Sequence, residues 1–265
     1  MKKGELLNLT VLVTSKCSLK CKMCATYAPY CSRSENYSYE HLTKSVARFF
    51  ENIDRVGMFT ISGGEPLLHP QLSELVDFFS TYIDRIELFE IFTNGTIVPT
   101  DRLLESLKFS SKVDVLVDNY GPELSRKVPE IANAFSASGI KHRIRKYYGD
   151  DTHLGGWIDV SDFTEKHRTE KENENIFKRC SFSTTWKNLI ILIDGTVHMC
   201  YVNSRLLDFV PDKPDEYINL LDDSLSDSEI KEKIFNLRNR KFLTYCSHCN
   251  GFCEDSKRYT YPEQL

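Results

Sequence analysis

Three cysteines near the start of the chain are spaced closely enough to bind one metal centre. Cys17, Cys21 and Cys24 form a CxxxCxxC pattern directly after an apolar segment. A [4Fe–4S] cluster has four irons that each take one outside ligand, usually a cysteine thiolate. Three thiolates leave one iron open, and an open coordination position is where a substrate or cofactor binds in catalytic metal sites. A zinc knuckle is the alternative, although zinc favours CxxC pairs and a closed set of four ligands.

A glycine-rich segment, SGGEP at residues 62–66, follows the cysteines by about 40 residues. Glycine has no Cβ, so Gly63 and Gly64 allow the backbone to approach a bound ligand closely. Glu65 adds a carboxylate to the same segment. A lone Gly-Gly-Glu sequence is more typical of an ordinary turn. Its position at the end of a predicted strand makes it a candidate binding segment.

The elements that must position these residues alternate between strands and helices over the first 150 residues. Apolar runs predict five strands: Asn8–Thr14, Val56–Ser62, Ile86–Thr93, Val113–Val117 and His142–Tyr148. Helical spacing predicts four helices: Tyr39–Asn52, Pro70–Tyr82, Asp101–Leu107 and Glu123–Ser138. Such alternation predicts an α/β fold with a parallel sheet and helices packed outside it. Ligands bind at the C-terminal ends of such strands, where CSLKCKMC, SGGEP, TNG and DNYG follow the first four.

The C-terminal part differs in pattern from the first 150 residues. It follows a polar stretch (EKHRTEKENEN) that indicates a solvated helix face or a loop. Two apolar segments, Leu189–Ile193 and Thr196–Tyr201, are joined by an Asp-Gly turn signal and predict a hairpin. Cys180 precedes this hairpin and Cys200 lies at its end. The domain boundary is therefore expected between about residue 150 and residue 180.

Further cysteines lie near the C-terminal end of the sequence. Cys246 and Cys249 form a CxxC pair after a predicted helix over Ser226–Asn239. With the two cysteines beside the hairpin they make a set of four thiolates, which suits a closed iron–sulfur cluster or a structural zinc site. Cys31 and Cys253 are left over, and Cys253 could replace a member of the set.

Length and composition bound the class of protein. A chain of 265 residues with 41% hydrophobic residues can build one large core with an appendage. A net charge of −4 does not fit the basic stripe of a nucleic-acid-binding protein. The N-terminal apolar segment is interrupted by polar residues, unlike a signal peptide, and the other aliphatic runs are far shorter than the ~20 residues of a membrane helix. Nine cysteines then predict reduced, metal-binding thiolates in a cytoplasmic protein without nucleic-acid or membrane partners.

The CxxxCxxC pattern after a first strand, together with SGGEP after a second, resembles the radical S-adenosylmethionine (radical SAM) superfamily. The resemblance implies that Cys17, Cys21 and Cys24 hold three irons of a [4Fe–4S] cluster, while S-adenosylmethionine chelates the fourth. It also implies a partial (β/α) barrel of about six parallel strands over residues 1–155. The candidate cofactor-binding residues are Met23, Gly63, Gly64, Glu65, Asn94 and Asp118. A simple Asn-Gly turn is the alternative role of Asn94.

The C-terminal cysteines are similar to those of the twitch extension of radical SAM enzymes, a shortened SPASM domain. In that extension a cysteine precedes a β-hairpin, a second ends it, and a late CxxC completes one auxiliary [4Fe–4S] cluster. The resemblance implies a linker over residues 156–179 and a small α+β auxiliary domain over residues 180–265. The implied ligands of the auxiliary cluster are Cys180, Cys200, Cys246 and Cys249.

The chain length, the position of the first motif and the auxiliary cysteine spacing resemble those of the butirosin-pathway dehydrogenase, which oxidises an amino-cyclitol alcohol to a ketone. We therefore expect a 5′-deoxyadenosyl radical to abstract hydrogen from a sugar- or cyclitol-like substrate, such as a nucleotide sugar or glycan precursor, in a dehydrogenation or an epimerisation. A flavodoxin- or ferredoxin-type protein would be the reductant. A maturase of a ribosomally made peptide is the alternative. A simple electron carrier is disfavoured because it needs no S-adenosylmethionine site.

Residues that contact the substrate are less constrained by pattern. Arg143 and Arg145 share one face of the fifth strand. They could bind an anionic or polyhydroxylated substrate there, or they could be solvated residues at the edge of the sheet. Cys31 and Cys253 are candidate hydrogen-atom donors, because an S–H bond is weak enough to quench a carbon radical. The linker adds two further candidates for substrate contact: Trp157 and Arg168.

Overall fold

Strands and helices alternate along the chain in the order that the sequence predicts. The computed structural model describes residues 6–184, 189–202, 216–259 and 263–265. The strands are β1 Leu7–Leu12, β2 Val56–Ser62, β3 Ile86–Thr93, β4 Val113–Asn119, β5 His142–Lys146, β6 Leu189–Ile193, β7 Thr196–His198 and β8 Ile218–Asn219. The helices are α1 Tyr39–Asn52, α2 Leu72–Ser80, α3 Asp101–Ser106, α4 Val128–Ala137, α5 Glu170–Arg179 and α6 Asp227–Arg238. In these ranges no helix is both long enough and apolar enough to cross a bilayer.

The described strands lie in one sheet with the order β5-β4-β3-β2-β1-β6-β7-β8. Six neighbouring strands, from β5 to β6, run parallel, and β7 and β8 are antiparallel. The predicted α/β fold with about six parallel strands is therefore confirmed. The sixth parallel strand is β6, the first strand of the predicted hairpin, which pairs directly with β1. The hairpin thus extends the sheet of the first half, and the division into core, linker and auxiliary domain stays a prediction.

The two faces of the parallel sheet carry different side chains, because side chains alternate between the faces along each strand. One row in register across four strands is apolar and packs with the helices in the main core: Val11, Ile61, Ile91 and Val115. The row beside it on the opposite face is polar: Thr10, Thr60, Glu90 and Asp114. We call the second face the inner face. All eight side chains are buried, so the inner face is a protected polar surface.

Element boundaries differ from the prediction mainly where strands run into functional loops. β1 ends at Leu12, two residues early, because the chain turns there into the cysteine loop. The fourth predicted helix begins only at Val128, since the residues after β4 form hydrogen-bonded turns. Gly139 follows α4 with a positive φ of 71°, as a C-cap glycine does. The polar stretch forms α5, which begins with a capping box of Thr169 and Glu172.

An aromatic cluster joins the sheet to the helices that cover it. The ring of Phe59 on β2 lies 5.2 Å from those of Phe79 and Phe89 and 6.3 Å from that of Phe50. Phe59 is fully buried. Its ring therefore contacts α1, α2 and β3 at once.

Truncation of Phe59 to Ala should destabilise the fold strongly. We expect a loss of about 3–5 kcal/mol in the free energy of unfolding, because the substitution removes buried contacts and leaves a cavity. Urea unfolding of the metal-free protein measures this loss. The matched control is Phe235→Ala on α6, where the phenylalanine is 52% exposed and the expected change is within about 0.5 kcal/mol. Equal losses in the two variants would contradict the packing described here.

Candidate active site

The loop that follows β1 carries the three N-terminal cysteines and is fixed by residues 33–37. Thr14 forms an antiparallel bridge with Asn36, and Thr14 Oγ1 donates a hydrogen bond to Asn36 Oδ1 (2.8 Å). Ser15 N donates to Glu35 O (2.9 Å), and Ser15 Oγ accepts from Glu35 N (2.9 Å). The cysteines therefore lie in a closed loop at the C-terminal end of β1, where the sequence predicts them.

The three thiols of this loop are free of disulfides. Burial is the main cause that raises the pKa of Cys17 to about 12 and that of Cys21 to about 11, so these two are disfavoured as bare thiolates. A metal centre offsets this cost with its positive charge, because ligand thiols are deprotonated when they bind. The donor set therefore fits an iron–sulfur cluster. Met23 is buried between the second and third cysteines, and its contact with the cofactor stays a prediction.

The SGGEP segment lies directly against the cysteine loop. Gly64 N donates to Thr14 O (2.8 Å) and Glu65 N donates to Lys16 O (2.7 Å), so the pairing of β1 with β2 continues beyond the strand ends. A Cβ on Gly63 would lie 2.6 Å from Thr14 O, and one on Gly64 would lie 2.2 Å from Lys16 O. Any larger residue would push the two segments apart. The glycines thus allow the cysteine loop itself to approach, and their contact with the cofactor stays a prediction.

Glu65 links the ends of β2 and β3 from a fully buried position. Its Oε2 accepts a hydrogen bond from Asn94 N (2.7 Å), and its Oε1 accepts one from Leu67 N (3.1 Å). Burial raises the pKa of Glu65 to about 7, although both backbone donors oppose the shift. Because both oxygens are bonded to backbone N–H groups, the structure gives Glu65 a positioning role. The contact of Glu65 with the cofactor stays a prediction.

Asn94 faces the cysteine loop from the end of β3. Its Nδ2 lies 3.5 Å from Cys17 Sγ and donates to Ser18 Oγ (3.0 Å). Its Oδ1 accepts from Thr96 N (3.1 Å) and from Thr96 Oγ1 (2.6 Å). One side chain therefore both stabilises the predicted turn and contacts a predicted cluster ligand.

A buried ion pair lies at the end of β4. Arg145 Nε and Nη2 donate to Asp118 Oδ1 (2.6 Å) and Oδ2 (2.8 Å), and the guanidinium group lies 4.6 Å from the centre of the Phe92 ring. Burial raises the pKa of Asp118, while the charge of Arg145 opposes the shift. A buried carboxyl group with a raised pKa at a strand end is a candidate proton acceptor.

Arg143 lies two residues before Arg145 on β5, with a side chain that is 53% exposed. Its Nε donates to Asp114 Oδ2 (2.7 Å), and its Nη2 donates to Glu90 Oε1 (2.8 Å). Lys141 Nζ lies 3.4 Å from the same Asp114 oxygen. Carboxylates therefore neutralise both arginines of β5, Arg143 here and Arg145 at the strand end. The predicted contact of the two arginines with a substrate stays a prediction, and any such contact would add to their pairing with carboxylates.

Three aromatic side chains surround the ion pair at the end of β4. The ring centres of Tyr120 and Tyr147 are 5.4 Å apart, and that of Trp157 lies 5.6 Å from the first and 5.9 Å from the second. Tyr120 Oη lies 3.5 Å from Asp118 Oδ2. Trp157 Nε1 is buried and has no hydrogen-bond partner among the residues described. Tyr120 is missing from the residues predicted from the sequence, although its position directly after β4 could have revealed it. The predicted substrate contact of Trp157 stays a prediction.

The C-terminal part forms an apolar cavity. Its wall contains all four cysteines that the sequence predicts as a set: Cys180, Cys200, Cys246 and Cys249. The remaining wall is mainly apolar: Ile176, Phe177, Phe182, Met199, Val202, Leu243, Tyr245, Gly251 and Phe252. In the part of the chain that the structure describes, no three His, Cys, Asp or Glu side chains are grouped so that they could hold a metal ion. The fit of these thiols to a cluster therefore rests on their shared cavity.

Arg168 binds the loop that carries the CxxC pair. Its Nη1 donates to the carbonyl oxygens of Cys246 and Cys249, both at 2.8 Å. The contact of Arg168 with a substrate stays a prediction. The two leftover thiols both lie beside backbone carbonyl groups: Cys253 Sγ donates to Ile176 O (3.7 Å), and Cys31 Sγ donates to Tyr27 O (3.5 Å).

Comparison with known families agrees with this geometry. Residues 11–142 match the model of the radical SAM superfamily. The chain contains a radical SAM domain. The family implies S-adenosylmethionine and one [4Fe–4S] cluster, for which the loop of Cys17, Cys21 and Cys24 supplies the fitting thiols. The predicted resemblance to this superfamily is thereby confirmed.

Known relatives and structures share parts of this chain. A probable GTP 3′,8-cyclase of Methanocaldococcus jannaschii is 29% identical over 143 residues, which are 53% of this chain and 46% of the relative. The chain thus spans less than half the length of that curated relative. A structure of BtrN in complex with AdoMet and 2-DOIA has a TM-score of 0.61 at 16% identity, covering 97% of this chain and 98% of BtrN. Streptococcus suis SuiB bound to S-adenosylmethionine has a TM-score of 0.59 at 13% identity, covering 89% and 68%. These two likenesses establish the fold.

Replacement of Glu65 by Gln should remove a pH dependence from the stability of the metal-free protein. With a pKa raised from 4.5 to about 7, the folded state binds more protons than the unfolded state between these values. The stability that this group contributes is present below about pH 4.5 and is lost as the pH rises through about 7. Urea unfolding across this window should therefore show a steeper fall for the wild type than for Glu65→Gln. Glu74→Gln, at an exposed position on α2, controls for the lost charge, and parallel curves for wild type and Glu65→Gln would contradict the prediction.

Serine substitutions should show which C-terminal cysteines are cluster ligands: those in the wall of the cavity or Cys253, which lies outside the wall. After anaerobic reconstitution we expect about eight irons per chain in the wild type, since two [4Fe–4S] clusters hold four each. Cys246→Ser removes a wall thiol and should reduce the content toward about four irons. The matched control, Cys253→Ser, removes a nearby thiol outside the wall and should leave the iron content unchanged. Iron and sulfide analysis measures both, and equal losses would assign Cys253 to the ligand set.

Proposed function

We propose that this protein is a radical SAM dehydrogenase that oxidises a carbinol carbon of a hydroxyl-rich substrate without phosphate groups. When bound, the cluster and S-adenosylmethionine supply the abstraction of a hydrogen atom from carbon. The observation that carries the proposal is the combination of buried, charge-balanced carboxylates on the inner face with a four-thiol cavity beside the hairpin that extends the same sheet.

The charge balance of the inner face supports a substrate without phosphate. The three carboxylates are matched by three basic groups that lie within 4 Å of them: Lys141, Arg143 and Arg145. Phosphate groups are commonly bound by Arg and Lys donors, and both arginines of this face already donate to carboxylates. Hydroxyl groups bind well to paired charges, because carboxylates keep free lone pairs.

Oxidation of an alcohol to a ketone removes a hydrogen atom from carbon, a proton from oxygen and one further electron. We assign Asp118 as the acceptor of the proton that leaves the substrate oxygen. Arg145 orients its two oxygens, and burial raises its pKa. Tyr120 Oη, 3.5 Å from that carboxyl group, is placed to donate to the substrate oxygen or to Asp118. The four-thiol cavity is where an acceptor of the further electron would be held. The prediction that Asp118 contacts the cofactor is the competing role.

Dehydrogenation is favoured over epimerisation by the leftover thiols. An epimerase needs a hydrogen-atom donor on the face of the substrate opposite the abstraction. Cys31 and Cys253 both donate to backbone carbonyl groups, and Cys253 is buried against Ile176. The cavity of four cysteines, which an epimerase does not require for electron balance, supports net oxidation.

The names of the relatives are the only information that they provide about the substrate class. The curated relatives are named as GTP 3′,8-cyclases, but the paired arginines do not favour a triphosphate for this chain. BtrN was solved with AdoMet and 2-DOIA, and its likeness spans nearly the whole of both chains. A peptide maturase, suggested by the likeness to SuiB, is the alternative function. A flavodoxin- or ferredoxin-type protein is proposed as the reductant.

Turnover with a panel of compounds tests the proposed function. The reconstituted, reduced protein is mixed with S-adenosylmethionine and with neutral polyols, amino-cyclitols, nucleotide sugars, GTP or peptides. We expect substrate-dependent 5′-deoxyadenosine with a polyol or amino-cyclitol, together with a product about two mass units lighter, because two hydrogens leave the alcohol. A product that has the mass of the substrate in H₂O, and that gains deuterium when the reaction runs in D₂O, would instead show epimerisation. Turnover only with peptides or GTP would overturn the proposed substrate class.

Asp118→Asn should separate proton transfer from cofactor binding. Loss of a general base lowers the rate by about 10²–10⁴-fold, so product formation should fall in this range while the affinity for S-adenosylmethionine is unchanged. Asp114→Asn is the matched control, because Asp114 lies on the same strand and face but four residues before Asp118, away from the strand end. Weaker S-adenosylmethionine binding by Asp118→Asn, with an unchanged rate at saturation, would assign Asp118 to the cofactor instead.

A further inference from the structure

Residues 263–265 lie alongside the cysteine loop as an added strand. Cys21 and Gln264 form an antiparallel bridge. Lys22 N donates to Glu263 O (2.8 Å), and Leu265 N donates to the carbonyl oxygen of Lys20 (2.9 Å). The ion pair between Lys22 Nζ and Glu263 Oε2 (3.1 Å) adds a side-chain contact on the surface. We call residues 263–265 the C-terminal strap.

The side chain of Gln264 reaches the sulfur of a predicted cluster ligand. Its Nε2 donates to Cys21 Sγ at 3.2 Å, and its Oε1 accepts from Lys20 N at 2.8 Å. The second bond fixes which end of the amide faces the sulfur, because only the oxygen can accept from a backbone N–H. Cys21 is also the most buried of the three thiols in this loop. The strap thus covers the thiol and donates a hydrogen bond to it.

We propose that Gln264 is a positioning residue that acts through Cys21 to set the reduction potential of the cluster. Hydrogen bonds to ligand sulfurs are among the factors that set this potential, because they stabilise the more negative, reduced state. The amide donor therefore raises the potential and eases electron entry from the reductant. The same contact fixes the Cys21 rotamer for metal binding. This inference concerns the cluster that the family implies, so it holds or fails independently of the proposed substrate.

Substitutions at Gln264 in the full-length protein test the inference. Gln264→Met keeps the length of the side chain and its zero charge but removes the donor. Gln264→Glu keeps the acceptor for Lys20 N and replaces the donor by an anionic oxygen. The matched control is Glu263→Gln, which breaks the exposed ion pair with Lys22 and leaves the hydrogen bond to sulfur intact. An EPR-monitored redox titration follows the signal that S-adenosylmethionine perturbs, and iron analysis follows cluster retention.

We expect a more negative midpoint potential in both Gln264 variants and a wild-type potential in Glu263→Gln. A purely structural role would lower iron retention in all three variants alike and would leave the potential of the retained clusters unchanged. Loss of iron confined to the Gln264 variants, with a wild-type potential in the clusters that remain, would show that Gln264 only holds Cys21 in place and would overturn its role in the potential. Wild-type potentials and iron contents in both Gln264 variants would overturn it.

Discussion

The candidate site depends on one close approach between two backbone segments. Residues 62–65 must lie within hydrogen-bond distance of residues 14–16 for the β1–β2 pairing to continue into the cysteine loop. Gly63 and Gly64 make this possible, since a Cβ on either would collide with a backbone oxygen. Glu65 then connects the same junction to Asn94. The ends of three parallel strands are thereby joined around the three thiols that are predicted to bind the cluster.

The inner face of the sheet is a second constraint with functional consequences. Strands buried on both faces are usually apolar throughout, but this sheet carries buried polar side chains on one face. Burial of unpaired charges is costly, so each carboxylate on this face has a basic partner. The pairing leaves the face polar without a surplus of positive charge. Its chemistry therefore suits hydroxyl groups better than phosphates, a distinction that depends on where Arg143 and Arg145 point.

The C-terminal part of the chain contacts the first half at more than one place. β6 pairs with β1, so the hairpin beside the four-thiol cavity belongs to the same sheet as the cysteine loop. Trp157 pairs with Tyr259, and Gln264 reaches Cys21. Both thiol sets are therefore connected through hydrogen-bonded contacts between the C-terminal part and the first half of the chain.

Local patterns in the sequence determined the order of elements, the cysteine loop, SGGEP and the four-thiol set, because spacing of two, three or four residues directly fixes strands, helices and ligand loops. They also placed Asn94 and Asp118 at strand ends. Tertiary structure alone decided that Arg143 and Arg145 form ion pairs with carboxylates. It also decided that Arg168 donates to the loop of the CxxC pair and that β6 extends the main sheet. Pattern cannot show such pairings, because they join residues tens to hundreds of positions apart, and burial selects partners by distance in space rather than along the chain.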